Sequence, residues 1–166
     1  MSIKGAVITA SDRCFSGERE DTSGPLAVQI LSENGVECGE VIVVADGKDS
    51  VREGILRALH LGARVIFITG GTGISPRDLT PEATLQYVEK ELTGVETQIL
   101  LAGLKHAPHA ALSRAVVGVG QKVLFVNAPG SHGAVRDTLS VVCPLIGHII
   151  EQLDGVDGSA HDTNAC

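Results

Sequence analysis

Two aspartates, Asp46 and Asp78, are the residues of this sequence that point most directly to chemistry. Asp46 follows the apolar stretch 41–44, and Asp78 ends a glycine-rich segment that follows the apolar stretch 65–69. We expect the two carboxylates to approach one another, because neighbouring parallel strands end at the same sheet edge. Mg²⁺ takes oxygen ligands and usually only one or two protein carboxylates when phosphates supply the others. The pair therefore suits a Mg²⁺ ion shared with a polyphosphate and indicates phosphoryl or nucleotidyl transfer.

The glycine-rich segment 70–78, which reads Gly-Gly-Thr-Gly-Ile-Ser-Pro-Arg-Asp, is a candidate anion cradle. Its glycines have no Cβ that would keep a ligand away from the backbone. No Lys-Ser/Thr pair follows the glycines, which excludes a P-loop, and the G-x-G-x-x-G spacing of dinucleotide-binding folds is absent. A purely structural turn is the alternative. After the segment, Thr80 is predicted to cap a helix that Pro81 opens and that carries Glu82 in its first turn.

Two further polar loops are predicted to reach the same sheet edge. Ser11-Asp12-Arg13 begins a polar segment that runs to Gly24, much longer than an ordinary connection of about 2–6 residues. Pro129-Gly130-Ser131 precedes a helix whose first N–H groups are available to an anion. Local capping and a tight turn are the alternatives for these loops. No nucleophile elbow and no Ser-His-Asp order is recognised, so covalent catalysis is disfavoured.

The elements that must position these loops alternate between strands and helices. Stretches 3–9, 41–44 and 65–69 are predicted to be buried parallel strands, because they are short, apolar and without polar alternation. Helices are predicted between them, which gives right-handed crossovers. Residues 113–119 and 122–128 are predicted to form a hairpin about Gly120-Gln121. The expected fold is an α/β, three-layer α-β-α sandwich, with a mostly parallel sheet and an antiparallel hairpin addition.

Composition predicts one domain and argues against several classes of partner. The 166 residues suffice for one core, and with 2% aromatic residues that core must consist of aliphatic side chains. A net charge of −7 without a basic run argues against nucleic acid and anionic membranes as partners. No signal peptide and no apolar run of membrane-spanning length is recognised, so a cytoplasmic protein is expected. The four cysteines are scattered without a C-x-x-C pair, which argues against a zinc site or a disulfide framework.

The domain is predicted to occupy residues 1–153, and residues 154–166 are predicted to form a flexible C-terminal tail of Gly, Asp, Ala and small polar residues. His106 and His109 lie on either side of a proline, with no carboxylate nearby in the sequence. A metal site at these histidines is therefore not expected.

The motifs together resemble the molybdenum-cofactor biosynthesis family of MogA-like molybdopterin adenylyltransferases and MoaB-like proteins. The string Thr-Gly-Gly-Thr-Gly-x-x-x-Arg-Asp-x-Thr-Pro-Glu at 69–82 is similar to the signature of that family. Four further motifs stand in the same order as in the family: Ser11-Asp12-Arg13, Asp46, Leu112-Ser113-Arg114 and Asn127-x-Pro129-Gly130-Ser131. The resemblance covers about residues 3–153 and identifies the chain as most like the MogA-like enzymes.

The resemblance implies an enzyme that transfers AMP from Mg-ATP to the terminal phosphate of molybdopterin and releases pyrophosphate. It implies that Asp46 and Asp78 are catalytic and metal-associated, with Mg²⁺ as cofactor and ATP as co-substrate. It also implies a homotrimer, with metal insertion left to a separate protein. The substrate-binding residues that it implies are Ser11, Asp12, Gly70, Gly71, Thr72, Gly73, Ser113, Arg114, Pro129, Gly130 and Ser131.

Two other functions stay open. A MoaB-like paralogue would keep the fold and bind molybdopterin with little or no catalytic activity. A nucleotide-binding enzyme could instead act on another phosphorylated substrate. One departure bears on the substrate contacts, because Pro108-His109-Ala110-Ala111 stands where many relatives carry Pro-Thr-Ala.

Overall fold

The computed structural model of the protein describes residues 2–156 as alternating strands and helices. The strands are β1 (Ile3–Ala10), β2 (Val36–Cys38), β3 (Ile42–Val44), β4 (Val65–Thr69), β5 (Lys90–Glu91), β6 (Val117–Gly120) and β7 (Val123–Ala128). The helices are α1 (Asp12–Phe15), α2 (Ser23–Glu33), α3 (Lys48–His60), α4 (Thr80–Leu85), α5 (Thr93–Leu104) and α6 (His132–Leu153), with a 3₁₀ helix at Pro108–Leu112.

The strands form one mixed sheet in the order β2-β1-β4-β7-β6-β5, and β3 also pairs with β1. β2 pairs with the first residues of β1 and β3 with the last, so the two short strands share one edge. β1, β2, β3, β4 and β7 are parallel, whereas β5 and β6 are antiparallel to their neighbours. The predicted parallel sheet with a hairpin addition is confirmed.

Each central strand contributes side chains to two separate cores. On one face, Val7, Phe67 and Val126 pack with residues of α2 and α6. On the other face, Ile8 and Ile68 pack with residues of α3 and α4. Burial on both faces explains why these strands are continuous apolar runs instead of alternating sequences. The predicted three-layer α-β-α sandwich is therefore the observed architecture.

Two local predictions differ from the structure, and two short strands were not predicted. Thr80 does not cap α4, because the helix begins at Thr80 with Leu79 as its N-cap and no side-chain capping bond. The hairpin strand predicted from residue 113 begins at Val117, because the chain before it bonds to the glycine-rich segment, where the Arg114 N–H donates to Thr72 O at 2.9 Å. No pattern in the sequence pointed to β2 and β5, which are only three and two residues long.

α6 is long and apolar enough to cross a membrane by length and composition alone. Its residues Val135, Leu139 and Ile146 lie in the core, and a helix that packs in a protein core can have the same length and apolar composition. After α6, Asp154 accepts a 2.8 Å hydrogen bond from Arg64. Residues 157–166 of the predicted tail lie outside the described residues, so the tail stays a prediction.

Candidate active site

The candidate site lies at the carboxyl ends of the parallel strands, where four loops meet. β1 lies between β3 and β4, so the chain first adds strands on one side of β1 and then continues with β4 on the other side. This reversal is the position at which open α/β sheets bind ligands. Ser11 N–H donates to Val44 O at 3.0 Å, and Gly70 N–H donates to Ala128 O at 2.9 Å. These bonds join the loops that follow β1, β3, β4 and β7.

The glycine loop, residues 70–78, approaches its neighbours backbone to backbone. Gly70 and Gly71 have φ angles of 97° and 65°, a region that L side chains rarely adopt. A Cβ on Gly70 would collide with the carbonyl oxygen of Ala10. A Cβ on Gly130 would lie 3.6 Å from the Cα of Gly70. The second distance is an ordinary van der Waals contact, so the close approach that requires a glycine is that of Gly70 to Ala10.

Two clefts flank this pair of loops. The β1 cleft has a volume of about 370 Å³, and the α5 cleft has a volume of about 470 Å³. The β1 cleft is lined on one side by the polar residues Ser11, Arg19, Glu20, Asp21 and Asp46. The α5 cleft is lined on its far side by His106, His109, Leu112, Ser113 and Asp137. Gly71, Asp78, Gly130 and Ser131 line both clefts and form a ridge between them.

Asp46 is held in place by a reciprocal pair of hydrogen bonds with Asp12. The Asp12 N–H donates to Asp46 Oδ2 at 3.0 Å, and the Asp46 N–H donates to Asp12 Oδ1 at 3.1 Å. Arg77 binds the Asp12 carboxylate with Nε and Nη2 at 2.7 and 2.9 Å. Hydrogen bonding to Arg77 holds the pKa of Asp12 below its ordinary value, so the Asp12 carboxylate stays charged. Asp46 therefore enters the β1 cleft from a fixed loop.

Asp78 occupies the ridge and is held by a turn of the glycine loop. Its Oδ2 accepts the N–H of Ser75 at 2.9 Å. Arg114 donates from Nε to Gly73 O at 2.8 Å and from Nη2 to Asp78 O at 2.6 Å. Its third nitrogen pairs with Glu82 at the start of α4. Arg114 thus fixes the far end of the loop from the side of the 3₁₀ helix.

The residues around the glycine loop fit a Mg²⁺ ion bound together with phosphates. Asp46 and Asp78 line the same cleft, and Asp46 Oδ1 lies 3.5 Å from the point that a Cβ on Gly71 would occupy. Thr80 Oγ1 lies beside the same point and is buried without a hydrogen-bond partner. No group of three or more His, Cys, Asp or Glu side chains within the described chain could hold a metal by itself. Two carboxylates suit Mg²⁺ when phosphate oxygens complete the coordination.

Comparison with known proteins shows the family to which this chain belongs. The family described as "Probable molybdopterin binding domain" matches residues 6–148 of the chain. The chain belongs to this family. The MogA/MoaB family predicted from the motifs is thereby confirmed.

Some relatives in this family are named molybdopterin adenylyltransferase and others are named MoaB. Molybdopterin adenylyltransferase of Helicobacter pylori (strain J99) is 35% identical over 93% of this chain and 90% of its own length. The solved structure of the molybdopterin biosynthesis enzyme MoaB from Thermus thermophilus has a TM-score of 0.83 and 35% identity, and the match covers 92% of this chain and 97% of that one. Molybdenum cofactor synthesis protein cinnamon of Drosophila melanogaster is 35% identical over 99% of this chain, which spans 30% of that protein's length.

The structure of this MogA/MoaB domain brings most of the predicted site residues together. Those that line at least one of the two clefts are Ser11, Asp46, Gly70, Gly71, Thr72, Gly73, Asp78, Ser113, Pro129, Gly130 and Ser131. Asp12 and Arg114 line neither cleft, and their charged groups are bound to Arg77 and Glu82. Their direct contact with substrate stays a prediction, and the contacts that are present stabilise the loops of the site.

The sequence did not reveal several contacts that shape the MogA/MoaB site. Arg77 was recognised within the signature, but nothing pointed to Asp12 as its partner 65 residues away. Thr69 donates its hydroxyl to Pro129 O at 3.0 Å, and Ser23 donates to Gly130 O at 2.8 Å. Both hydroxyls hold the Pro129–Ser131 loop against β4 and α2. For Thr69 the local signal is a polar residue at the end of an apolar strand, and no such signal marks Ser23.

Cys14 lines the β1 cleft of this MogA/MoaB domain, whereas Cys38 and Cys143 line neither cleft. Cys14, Cys38 and Cys143 are free thiols, and Cys166 lies outside the described residues. Burial raises the pKa of Cys38 to about 11 and also raises the pKa of Cys143. These two thiols are therefore protonated and unreactive at neutral pH.

Glu82 is expected to make the stability of the MogA/MoaB domain depend on pH. Burial raises the pKa of Glu82, but its hydrogen bond to Arg114 and the charge of Arg114 outweigh burial and lower the pKa below 4.5. The ion pair therefore stabilises the fold above about pH 4.5 and is lost as the pH falls through the lower folded-state pKa. Glu82→Gln should consequently flatten the fall in unfolding free energy below pH 4.5, measured by urea denaturation.

Glu33→Gln on the exposed side of α2 is the control and should keep the wild-type pH profile. If the unfolding free energies of wild type and Glu82→Gln depend on pH in the same way between neutral and acidic pH, the stabilising role assigned to the Glu82–Arg114 pair is wrong. Because both side chains of the pair are more than a third exposed, we expect a modest effect.

Proposed function

We propose that the chain is an adenylyltransferase of molybdenum-cofactor synthesis, which transfers AMP from ATP to the terminal phosphate of molybdopterin. A phosphate oxygen of molybdopterin attacks the α-phosphorus of ATP and forms a new P–O–P linkage. The bond from the α-phosphorus to the bridging oxygen breaks, and pyrophosphate leaves with that electron pair. The observation that carries this proposal is the placement of Asp46 and Asp78 in one cleft beside the glycine loop.

The two clefts support a reaction between two phosphorylated substrates. Each cleft is large enough for part of a substrate, and the ridge of Gly71, Asp78, Gly130 and Ser131 is common to both. Phosphates that meet at this ridge would lie beside the first turn of α6, where backbone N–H groups have no helical acceptor. Ser131 caps that turn by accepting the Ala134 N–H at 3.2 Å. The ridge can thus hold phosphates from both sides without a basic cluster.

Asp46 and Asp78 would hold Mg²⁺, which when bound neutralises phosphate charge and polarises the α-phosphoryl group. The chain itself supplies orientation. The bonded network of Asp12, Asp46 and Arg77 keeps one carboxylate fixed, and Arg114 keeps the glycine loop fixed around the other. Such preorganised groups stabilise developing charge without rearranging during the reaction.

A MoaB-like binding protein is the second candidate, supported by the equal identity to the Thermus thermophilus MoaB structure. Both carboxylates being present favours the enzyme over the binding protein. The test mixes purified protein with ATP, Mg²⁺ and molybdopterin and follows pyrophosphate together with molybdopterin binding. Pyrophosphate that forms only when molybdopterin is present supports the enzyme. Tight binding of molybdopterin without pyrophosphate release supports the binding protein. ATP turnover that molybdopterin does not affect indicates an enzyme for another phosphorylated substrate.

We further propose a cytoplasmic homotrimer whose product passes to a separate metal-insertion protein. Support for self-association comes from α5, which has no buried residue although it is rich in aliphatic side chains. Leu100, Leu101 and Leu104 of α5 are 39%, 56% and 40% exposed, and Leu112 of the adjacent 3₁₀ helix is 55% exposed. An apolar patch of this kind favours a protein interface. Further copies of this chain are the proposed occupants.

Leu101→Glu is expected to convert the trimer into monomers, because a carboxylate would be buried in the interface without a partner. Light scattering coupled to size-exclusion chromatography measures the mass directly. Leu61→Glu is the matched control, because Leu61 is 62% exposed at the end of α3, outside this apolar patch. A wild-type monomer, or a Leu101→Glu variant of unchanged mass, would contradict the interface at α5.

A further inference from the structure

We propose that Arg77 is a positioning residue of the reaction, which fixes Asp46 in the β1 cleft through Asp12. The inference rests on the proposed function, in which Asp46 takes part in AMP transfer. Arg77 lies immediately before Asp78, so one short segment of the glycine loop would position both carboxylates. The proposal gives Arg77 a role that does not require contact with either substrate.

The donors of Arg77 are directed at two other loops. Nε donates to Asp12 Oδ2 at 2.7 Å, and Nη2 donates to Asp12 Oδ1 at 2.9 Å. Nη2 also donates to the carbonyl oxygen of Asp46 at 2.8 Å. One guanidinium therefore joins the loops after β1, β3 and β4, which come from three parts of the chain. Arg77 is not among the residues that line the two clefts.

The contact with Asp12 reaches the Asp46 side chain through a closed ring of hydrogen bonds. Asp12 Oδ1 accepts both from Arg77 and from the Asp46 N–H, and the Asp12 N–H donates to Asp46 Oδ2. Without Arg77, the Asp12 carboxylate loses its two guanidinium bonds and can turn towards water. The bond that holds the Asp46 backbone would then be weakened, and the Asp46 carboxylate would no longer have a single position.

The exposure of the pair separates this role from a contribution to overall stability. The side chains of Arg77 and Asp12 are 61% and 45% exposed, and such surface ion pairs contribute little to the free energy of folding. Their effect should instead be local, on the placement of a catalytic carboxylate. The fork-like guanidinium is needed for this geometry, since a lysine ammonium cannot bind both carboxylate oxygens and a carbonyl in one plane.

The test compares Arg77→Ala and Arg77→Lys with Arg64→Ala. Arg64 is a matched control, because it also binds a carboxylate through two nitrogens and a backbone carbonyl, Lys122 O, but away from the site. Arg77→Ala should lower kcat for AMP transfer by about 10- to 100-fold, the cost of a small displacement of a reacting group. KM for ATP and affinity for molybdopterin should stay within about twofold of wild type, since no substrate contact is removed. Arg77→Lys should recover little activity, and Arg64→Ala should behave as wild type.

Three kinetic results would overturn the proposal. A large rise in KM for ATP with unchanged kcat would show that Arg77 binds the triphosphate directly. An unchanged kcat in Arg77→Ala would show that Asp46 does not depend on it. A double variant, Asp12→Asn with Arg77→Ala, should be no slower than the slower single variant, because both changes break the same connection. Fully multiplicative losses would show that the two residues act separately.

Amide hydrogen exchange tests the connection without relying on turnover. In Arg77→Ala, the backbone amides of Asp12 and Asp46 should exchange faster than in wild type, whereas Arg64→Ala should leave them unchanged. Unchanged exchange at both amides would overturn the positioning role even if wild type is active. Arg77→Ala could exchange faster at these amides although the wild-type protein shows no AMP transfer. In that case the structural connection stands but the proposed function fails, and the catalytic role assigned to Arg77 fails with it.

Discussion

Replacement of Asp78 by Asn should lower kcat for AMP transfer by about 100-fold or more, while the protein stays folded and binds molybdopterin. Asparagine keeps one side-chain oxygen that can accept the Ser75 N–H, so the turn of the glycine loop is preserved. It loses the negative charge that the proposed reaction needs beside the phosphates. Asp46→Asn should behave in the same way, because its oxygen can still accept the Asp12 N–H.

The measurement combines steady-state kinetics, molybdopterin titration and urea unfolding of the same preparations. Unfolding free energies of both Asn variants should lie within about 0.5 kcal/mol of wild type, as is usual away from the core. Asp154→Asn, which changes an ion-paired carboxylate just after α6, should retain wild-type kcat. If Asp78→Asn unfolds the protein or transfers AMP at the wild-type rate, the catalytic assignment of Asp78 is wrong.

Gly70→Ala should have the largest effect on stability, about 3 kcal/mol, because strain and collision act together. Gly70 has a φ of 97°, and a Cβ at this position would collide with the carbonyl oxygen of Ala10. Relief of that collision would require the glycine loop to move away from β1. The variant should therefore also lose binding of both substrates, and urea unfolding with ligand titration would measure the two effects.

Gly62→Ala separates the two causes. Gly62 has a φ of 78° and no atom within 4 Å of the position of a Cβ, so an alanine there meets strain without collision. Its cost should be about 1 kcal/mol. Equal losses in Gly62→Ala and Gly70→Ala would contradict the close approach of the glycine loop to β1.

The sequence was sufficient to predict the layers of this fold and the convergence of its main site residues. Runs such as Ile66-Phe67-Ile68 are apolar on both sides of the strand, which required helices on both faces of the sheet. Parallel strands then placed Asp46 and Asp78 at one edge, and both line the β1 cleft. These features follow from short-range patterns together with the general geometry of parallel sheets.

The contacts that fix the site could not be predicted in this way. Arg77 and Asp12 are separated by 65 residues, and Arg114 reaches Glu82 across 32. Many exposed carboxylates could have paired with these arginines, and sequence spacing does not choose among them. Thr80 shows the same limit, because its local pattern is that of a helix cap, yet its hydroxyl is buried against Gly71. Tertiary packing of the glycine loop overrides that local preference.

Transfer of labelled AMP tests the proposed reaction most directly. Wild-type protein is incubated with Mg²⁺, molybdopterin and ATP radiolabelled at the α-phosphorus, and the pterin product is separated from nucleotides. The label is expected to move into the pterin in step with pyrophosphate release, and Asp46→Asn and Asp78→Asn are expected to abolish most of this transfer. Label that remains entirely in nucleotides, while molybdopterin binds to the wild-type protein, would contradict the account.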